Sequence, residues 1–330
     1  MKSRTLLALL VGFVVSFGLY SIWCSFQERA TSPSQTSAQG VQATPAGGGA
    51  SNLVSTGVIA VDVRAAGTHL ASGAGTTHVL VTARSGNTES RTVRVPANVV
   101  LVLDRSGSMQ GAWIEQAKLG AEYVLDSLQD GDRIAHVSYA TSASVDIRST
   151  VLNASSRTSL RQAIRAISVG GGTCISCGLE AARPELASGK LESGVSRVVL
   201  FSDGQADTGL VDIDQLANLA RDIERTGVVV STVGVGLDYN EELMAQVAIS
   251  GNGNHYFVEN PNLLATTLAK EMGSLQALVA KRVIATFDLA EGVKFVRGYD
   301  RVFDVQGNRV TVSLGDMPAA AERTALLELS

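Results

Sequence analysis

Short apolar runs recur through the middle of the chain, and each is followed by a segment whose apolar positions return every three or four residues. Val99-Val100-Leu101-Val102-Leu103, Val198-Val199-Leu200-Phe201 and Val228-Val229-Val230-Ser231-Thr232-Val233 are continuously apolar or β-branched, the composition of strands buried on both faces. Between two of them, Ile213, Leu216, Ala217, Ala220 and Ile223 form one stripe while Asp214, Arg221, Asp222 and Glu224 face water, as in a helix packed on a sheet. The pattern predicts strands over 98–103, 133–139, 144–149, 197–201, 228–235 and 255–258, and helices over 113–128, 160–167, 178–186, 213–225, 241–249 and 263–279. Such alternation specifies an α/β fold: a doubly wound, mostly parallel sheet with helices on both faces.

On either side the character changes. Short β-branched or alternating segments at 57–63, 78–83 and 92–95, and again at 282–288, 293–296, 302–305, 309–314 and 324–329, are bounded by Gly, Ser and Asn and read as strands. They predict one small flanking β-sandwich built from both ends of the chain, with the α/β part inserted between its halves. The expected organisation is an N-terminal membrane anchor or signal segment over 1–29, a flexible linker over 30–55, sandwich strands over 56–96, the α/β domain over 97–280 and sandwich strands over 281–330. The linker is rich in Ser, Thr, Ala, Gln and Gly, too poor in large apolar groups to offset its ordering entropy.

The N-terminus sets an expectation about location. Lys2 and Arg4 precede an apolar stretch, 6–22, without a charge, longer than the about 7–15 residues of a signal peptide's apolar core. Bulky or charged Trp23, Gln27, Glu28 and Arg29 follow, so no small-residue cleavage site is evident. An uncleaved anchor is expected, with the basic end in the cytoplasm and the folded part extracytoplasmic, periplasmic or at the cell surface; cleavage would make the protein secreted. Trp23 is a poor neighbour for lipidation of Cys24.

The 330 residues are 45% hydrophobic and 18% charged, enough apolar material for one medium domain and a smaller one. A net charge of −4 argues against nucleic acid, which proteins meet with a basic face. Gly170-Gly171-Gly172 is glycine-rich, but no GxGxxG follows the first α/β strand and no GxxxxGK[ST] occurs, so no nucleotide partner is expected.

The chemistry concentrates at strand ends. Asp104, Ser106 and Ser108 follow the first α/β strand directly, Thr173 closes the glycine stretch, and Asp203 follows 198–201 in Ser202-Asp203-Gly204. In an open α/β sheet, ligands bind beyond the carboxyl ends of the strands, which places Asp104 and Asp203 on the expected functional rim. All five offer hard oxygens, suited to Mg, with Mn or Ca as alternatives, and unlike the His and Cys clusters of zinc or copper sites. Asp207 and Asp238 also follow strand ends, where their charges would tune the field of the rim; Asp238, just before Glu241, reads equally well as a helix cap, the favoured reading.

This ordered set, DxSxS then Thr then Asp, resembles the metal-ion-dependent adhesion site of von Willebrand factor type A domains, which are similar to integrin inserted domains. The resemblance covers roughly residues 97 to 280. It implies that Ser106, Ser108 and Thr173 contact a divalent cation, that Asp104 and Asp203 hold it directly or through water, and that an open coordination position takes a carboxylate from a partner protein. It also implies that the last helix before Arg282 shifts as the site rearranges. The insertion in a sandwich resembles bacterial exported proteins similar to inter-alpha-trypsin-inhibitor heavy chains.

Cys174 and Cys177 follow Thr173 where a helix is expected to begin. A CxxC in a first helical turn brings the two within disulfide range, and export supplies oxidising conditions; a disulfide is expected, with a thioredoxin-like redox role as the rival. Zinc would need a second ligand pair. Of the four histidines, His69, His78, His136 and His255, none forms a triad with Ser and Asp, no GxSxG occurs, and His136, inside an apolar strand, reads as a core residue. The resemblance implies a non-enzymatic, adhesion-type protein-binding module, with a metal-stabilised structural scaffold or a metal-assisted hydrolase using Asp203 as base as the alternatives.

Overall fold

The computed structural model describes residues 12–16, 51–55, 59–66, 75–86, 95–191, 194–203, 206–236, 239–276, 278–299 and 301–330. The chain divides into two compact units, Glu89–Leu278 and a second made of Met1–Thr88 with Val279–Ser330. The N-terminal segment carries β1 (Gly12–Ser16), β2 (Ser51–Ser55), β3 (Ile59–Ala65) and β4 (Thr77–Ser85). The α/β unit then runs β5 (Ala97–Asp104), α1 (Ala112–Ser127), β6 (Arg133–Tyr139), β7 (Ala143–Val151), α2 (Ala154–Arg165), α3 (Ile175–Ser188) and β8 (Val195–Ser202). It continues with α4 (Ile213–Arg225), β9 (Val228–Val235), α5 (Glu241–Ser250), β10 (Asn252–Val258) and α6 (Leu264–Gln276). The C-terminal segment supplies β11 (Leu278–Asp288), β12 (Phe295–Gly298), β13 (Phe303–Gln306), β14 (Arg309–Pro318) and β15 (Glu322–Leu329).

In the α/β unit one sheet has the order β10-β9-β8-β5-β6-β7. Every pair is parallel except β6 with β7. Val99 to Leu103 on β5 have no exposed surface because helices cover both faces. Leu101 and Leu103 pack with Ala117, Ala121 and Val124 of α1, Ile164 of α2 and Leu268 of α6. Val100 and Val102 pack with Leu179 of α3, Leu216 and Ala220 of α4 and Val247 of α5. Each fully buried Val or Leu of this kind contributes roughly 1.5–3 kcal/mol, and the continuous apolar runs are thereby explained. Where helix meets helix or sheet most closely, glycine stands: a Cβ on Gly120 would lie 2.6 Å from Leu268 Cδ1, and one on Gly178 2.7 Å from the Tyr139 ring.

Local chemistry moves several boundaries from those expected. Helix α2 starts at Ala154 rather than 160, because Asn153 and Ser156 form a reciprocal capping box ahead of a stretch too polar to show a stripe. Helix α5 is capped by Asn240, whose side chain accepts from Leu243 N at 3.0 Å; Asp238, expected in that role, lies outside the described residues. Helix α6 ends at Gln276 and β11 begins at Leu278, so the apolar residues that extended the expected helix to 279 belong to a strand.

The second unit is a sandwich of two sheets, β1-β11-β14-β13 and β12-β15-β4-β3-β2. Val61, Val81, Phe287, Val312 and Leu327 share its core. β4 and β15, from opposite ends of the chain, pair antiparallel from Thr77 with Leu329 to Arg84 with Glu322. Ser51–Ser55, expected as the end of the flexible linker, instead pairs antiparallel with β3 as β2; its alternating Ser-Asn-Leu-Val-Ser suffices for an edge strand. Within the apolar stretch 6–22, only Gly12–Ser16 is described, and it pairs antiparallel with Ile284 to Asp288 of β11. Among the described residues no helix is long and apolar enough to cross a membrane; the rest of the expected anchor lies outside them, as does the strand expected over 92–95 apart from Val95.

Candidate metal centre

The carboxyl ends of β5 and β8, adjacent and parallel in the sheet, deliver the first elements of the site. Asp104 ends β5 with no exposed surface. Its Oδ1 accepts the Ser106 backbone N–H at 2.8 Å and its Oδ2 accepts the Ser202 hydroxyl at 2.6 Å. The Ser106 and Ser108 hydroxyls lie 3.1 Å apart, and the Ser108 hydroxyl donates to Asp203 Oδ1 at 2.8 Å. Ser106 is buried and Ser108 exposed, so this chain of oxygens runs from the interior to the surface.

Thr173 reaches the same place by a different route. Gly107 N–H donates to Gly171 O at 3.1 Å and Gly170 N–H to Arg105 O at 2.9 Å, which lays the glycine loop along the Asp104–Ser108 turn. Gly171 takes a left-handed φ of +92°, and a Cβ there would lie 2.8 Å from Thr141 Oγ1; a side chain would be both strained and obstructed. Thr173 itself is buried. Thus Asp104, Ser106, Ser108 and Asp203 are joined by direct hydrogen bonds, and Thr173 is joined to them through the backbone of its loop.

Electrostatics mark the same spot. Burial pushes the Asp104 carboxyl up from its ordinary value, against the opposing hydrogen bonds from Ser106 and Ser202. Burial also pushes Asp203 up, to about 6, with the Asp104 charge adding to the rise and Ser108 opposing it. Below them Tyr139, buried, donates its hydroxyl to Phe201 O at 3.0 Å. Burial and then the Asp104 charge raise that phenol well above its ordinary value, so it stays a proton donor. One buried and one half-buried carboxylate beside the Ser106 and Ser108 hydroxyls, with Thr173 on the loop tied to the same turn, fit a hard divalent cation. Among the described residues no three His, Cys, Asp or Glu side chains gather at a point, so the fit rests on hydroxyls as much as on charge and disfavours zinc.

Cys174 and Cys177 are joined by a disulfide, Cα atoms 5.3 Å apart, at the start of α3. Cys174 is its N-cap, and its Sγ accepts the Cys177 N–H at 3.3 Å. Alkylation of the non-reduced protein is expected to leave both residues unmodified and to label both after reduction, read by mass; two labelled thiols without reductant would disprove the bond in solution. His136 is buried, with Nδ1 3.0 Å from Asp146 Oδ2, a core position away from the strand-end cluster. Sequence reasoning missed Ser202 and Thr141 as partners of the site, and placed Asp207 at the rim as a charge that tunes the field without its contact to Thr173. Ser202 was legible only through its place one residue before Asp203 at a strand end.

The model of the von Willebrand factor type A domain matches residues 98–270, just over half of the chain. The chain belongs to the von Willebrand factor type A family. Across a longer span it is similar to the uncharacterized protein YfbK of Escherichia coli, 29% identical over 250 residues covering 73% of this chain and 43% of that protein. It is similar to the uncharacterized protein sll0103 of Synechocystis sp., 28% identical over 246 residues covering 72% and 57%. This chain therefore spans about half the length of those two relatives. Human inter-alpha-trypsin inhibitor heavy chain H4 is 27% identical over 166 residues, 48% of this chain and 18% of that one. Among solved structures, a von Willebrand factor type A protein from Catenulispora acidiphila superposes with a TM-score of 0.69 at 18% identity, covering 84% of this chain and 67% of that chain. This similarity shows the shared fold. As a type A module, the chain carries its Asp104, Ser106 and Ser108 turn within the matched span.

Proposed function

We propose that this type A module is an extracytoplasmic protein-binding unit that captures an acidic side chain of a partner protein through a divalent cation. Ser106, Ser108 and Thr173, with Asp104 and Asp203 directly or through water, would hold the ion; Mg is favoured by the donor set, with Mn or Ca as alternatives. The observation that carries this reading is the linked chain Ser106, Ser108, Asp203, whose outer member Ser108 is exposed while Asp104 is sealed behind it. When bound, the cation supplies a positive centre that attracts a carboxylate. The chain's own part is to fix the oxygens: Asp104 is oriented by Ser106 N–H and Ser202, and the glycine loop is tied to the turn by two backbone bonds. The reading implies no reaction.

The location is inferred from the charged start and apolar stretch of the first 23 residues, which would anchor the protein with its folded part outside the cytoplasm. The Cys174–Cys177 disulfide supports an oxidising compartment. Family membership supports a binding role. To test the mechanism, purified protein is probed against an arrayed peptide library in which each Asp- or Glu-containing peptide is paired with its Asn or Gln counterpart. In Mg the acidic members are expected to bind and their amides not to, with chelator abolishing the signal. Binding that ignores chelator, or that treats acid and amide alike, sinks the proposal.

A further inference from the structure

The loop after β8 does more than present Asp203. Four residues later, Asp207 meets Thr173 on both sides of its peptide backbone: the Thr173 N–H donates to Asp207 Oδ1 at 2.7 Å, and the Asp207 N–H donates to Thr173 O at 3.1 Å. The Thr208 hydroxyl donates to the same Oδ1 at 2.8 Å, so that oxygen is already engaged by two donors. A charged acceptor makes the Thr173 bond stronger than a neutral one. Glycine at 172 leaves the room required, because a Cβ there would lie 2.7 Å from Asp207 Oδ1 and 3.2 Å from its Cγ.

The same loop grips the start of α3. Leu210 N–H donates to the Ser176 hydroxyl at 3.0 Å. Gly209, at a φ of +72°, lies so close that a Cβ would sit 2.5 Å from both Cys174 Sγ and Ser176 Oγ. On the opposite side, Gly172 N–H donates to Thr141 Oγ1 at 2.9 Å and Cys174 N–H donates to Ala140 O at 2.8 Å. Thr173 is therefore held between the β6–β7 turn and the loop after β8. Asp207 is the side chain that closes this hold from the Asp203 side.

We propose, resting on the metal-site reading above, that Asp207 is a positioning residue: it fixes the Thr173 hydroxyl within reach of the ion by clasping the Thr173 backbone, and it does not itself ligate. The carboxylate's role is then hydrogen-bond acceptance, which an amide oxygen can also perform. An outer partner of a metal ligand typically changes affinity by about 10–100-fold. Asp207→Ala is expected to weaken Mg or Mn binding by about tenfold, whereas Asp207→Asn keeps it within about threefold of wild type, on the same scale. Gly172→Ala should push the Asp207 carboxylate aside and weaken binding to a similar extent. In the Asp207→Ala background, where that carboxylate is gone, it should weaken binding little further, a non-additivity that reports direct contact.

The experiment is isothermal titration of Mg and Mn into wild type, Asp104→Asn, Asp207→Ala, Asp207→Asn, Gly172→Ala and the Gly172→Ala/Asp207→Ala double variant, with circular dichroism confirming each fold. It is paired with amide hydrogen exchange of Thr173 in metal-free protein, where protection should fall in Asp207→Ala and persist in Asp207→Asn. Asp207→Asn losing as much affinity as Asp207→Ala makes Asp207 a ligand and overturns the positioning role; so does wild-type affinity and Thr173 protection in Asp207→Ala. If the wild type itself binds no ion, the site reading fails and this role with it. That case is recognisable because Asp104→Asn then matches wild type while Thr173 exchange still depends on Asp207.

Discussion

Asp104→Asn is expected to abolish Mg binding while leaving the metal-free fold intact. The substitution keeps the size of the side chain and an oxygen for the Ser106 N–H, and the Ser202 hydroxyl, now bonded to Asp104 Oδ2 at 2.6 Å, can rotate to accept from the new amide. What disappears is a charge that burial already disfavours, so no stability is lost with it at neutral pH. Wild-type protein in Mg at 100 times its dissociation constant should gain about 2.7 kcal/mol over protein in chelator. In Asp104→Asn that increment should vanish, with affinity reduced beyond the about 100-fold at the upper end for an outer partner. Thermal unfolding with Mg and with chelator reads both quantities; an undiminished Mg increment in the variant would remove Asp104 from the site.

The second large effect lies on the other side of the sheet from α3, beneath α6. Glu271 of α6 is fully buried, and its Oε1 meets Arg197 Nη1 of β8 at 2.6 Å, with Arg197 also buried. Ser231 of β9 donates to Oε1 at 2.6 Å, and Asn254 and Tyr256 of β10 donate to Oε2 at 3.0 and 2.8 Å. Burial alone would raise the Glu271 carboxyl, but Arg197 and these donors outweigh it and hold it below its ordinary value. Truncating one member leaves the other charge buried and uncompensated, so Glu271→Ala should cost about 3–5 kcal/mol, measured by denaturant unfolding of the metal-free protein. The Arg197→Met/Glu271→Leu pair should recover most of that loss. Because the folded carboxyl titrates below its unfolded value, the stabilisation is present above the unfolded pKa and is lost as pH falls through the folded one. A stability difference between wild type and Glu271→Ala that does not shrink on acidification would contradict the ion pair. The network also bears on the helix shift implied by family resemblance: four side chains from three strands fix α6 by one buried carboxylate, and any sliding of that helix must break them together.

The α/β sheet, its helices on both faces and the flanking sandwich were legible in the sequence, because Val99 to Leu103 and Val198 to Phe201 are apolar without alternation and the stripe of α4 is clean. Elements whose start depends on a cap rather than on a stripe were placed less well: α2 begins at a capping box inside Ala154-Ser155-Ser156-Arg157-Thr158-Ser159, where periodicity is silent. The α6–β11 junction was misplaced because Leu278 and Val279 suit either state. The gathering of Asp104, Ser106, Ser108 and Asp203 at the strand ends was readable from spacing. The clasp of Asp207 on Thr173 was not, since its partner is a backbone N–H 34 residues earlier, and a contact with a peptide group leaves no pattern in side-chain identities. The same holds for Arg197 and Glu271, 74 positions apart, each of which looks like an ordinary surface charge when read along the chain.

The pairing of β4 with β15 carries a consequence for how this protein is made. Thr77 to Arg84 leave the ribosome well before their hydrogen-bonding partners, Glu322 to Leu329, since the paired Arg84 and Glu322 lie 238 positions apart. Every strand, helix and loop of the Glu89–Leu278 unit emerges in between, and its own contacts are complete before β15 exists. Late closure of so distant a pair is slow, and until it happens the apolar faces of β3 and β4 stand uncovered by their final neighbours. The nascent chain thus has a period in which its α/β unit is finished and its sandwich is not, and protection of those exposed strands by a chaperone would be needed most at that moment.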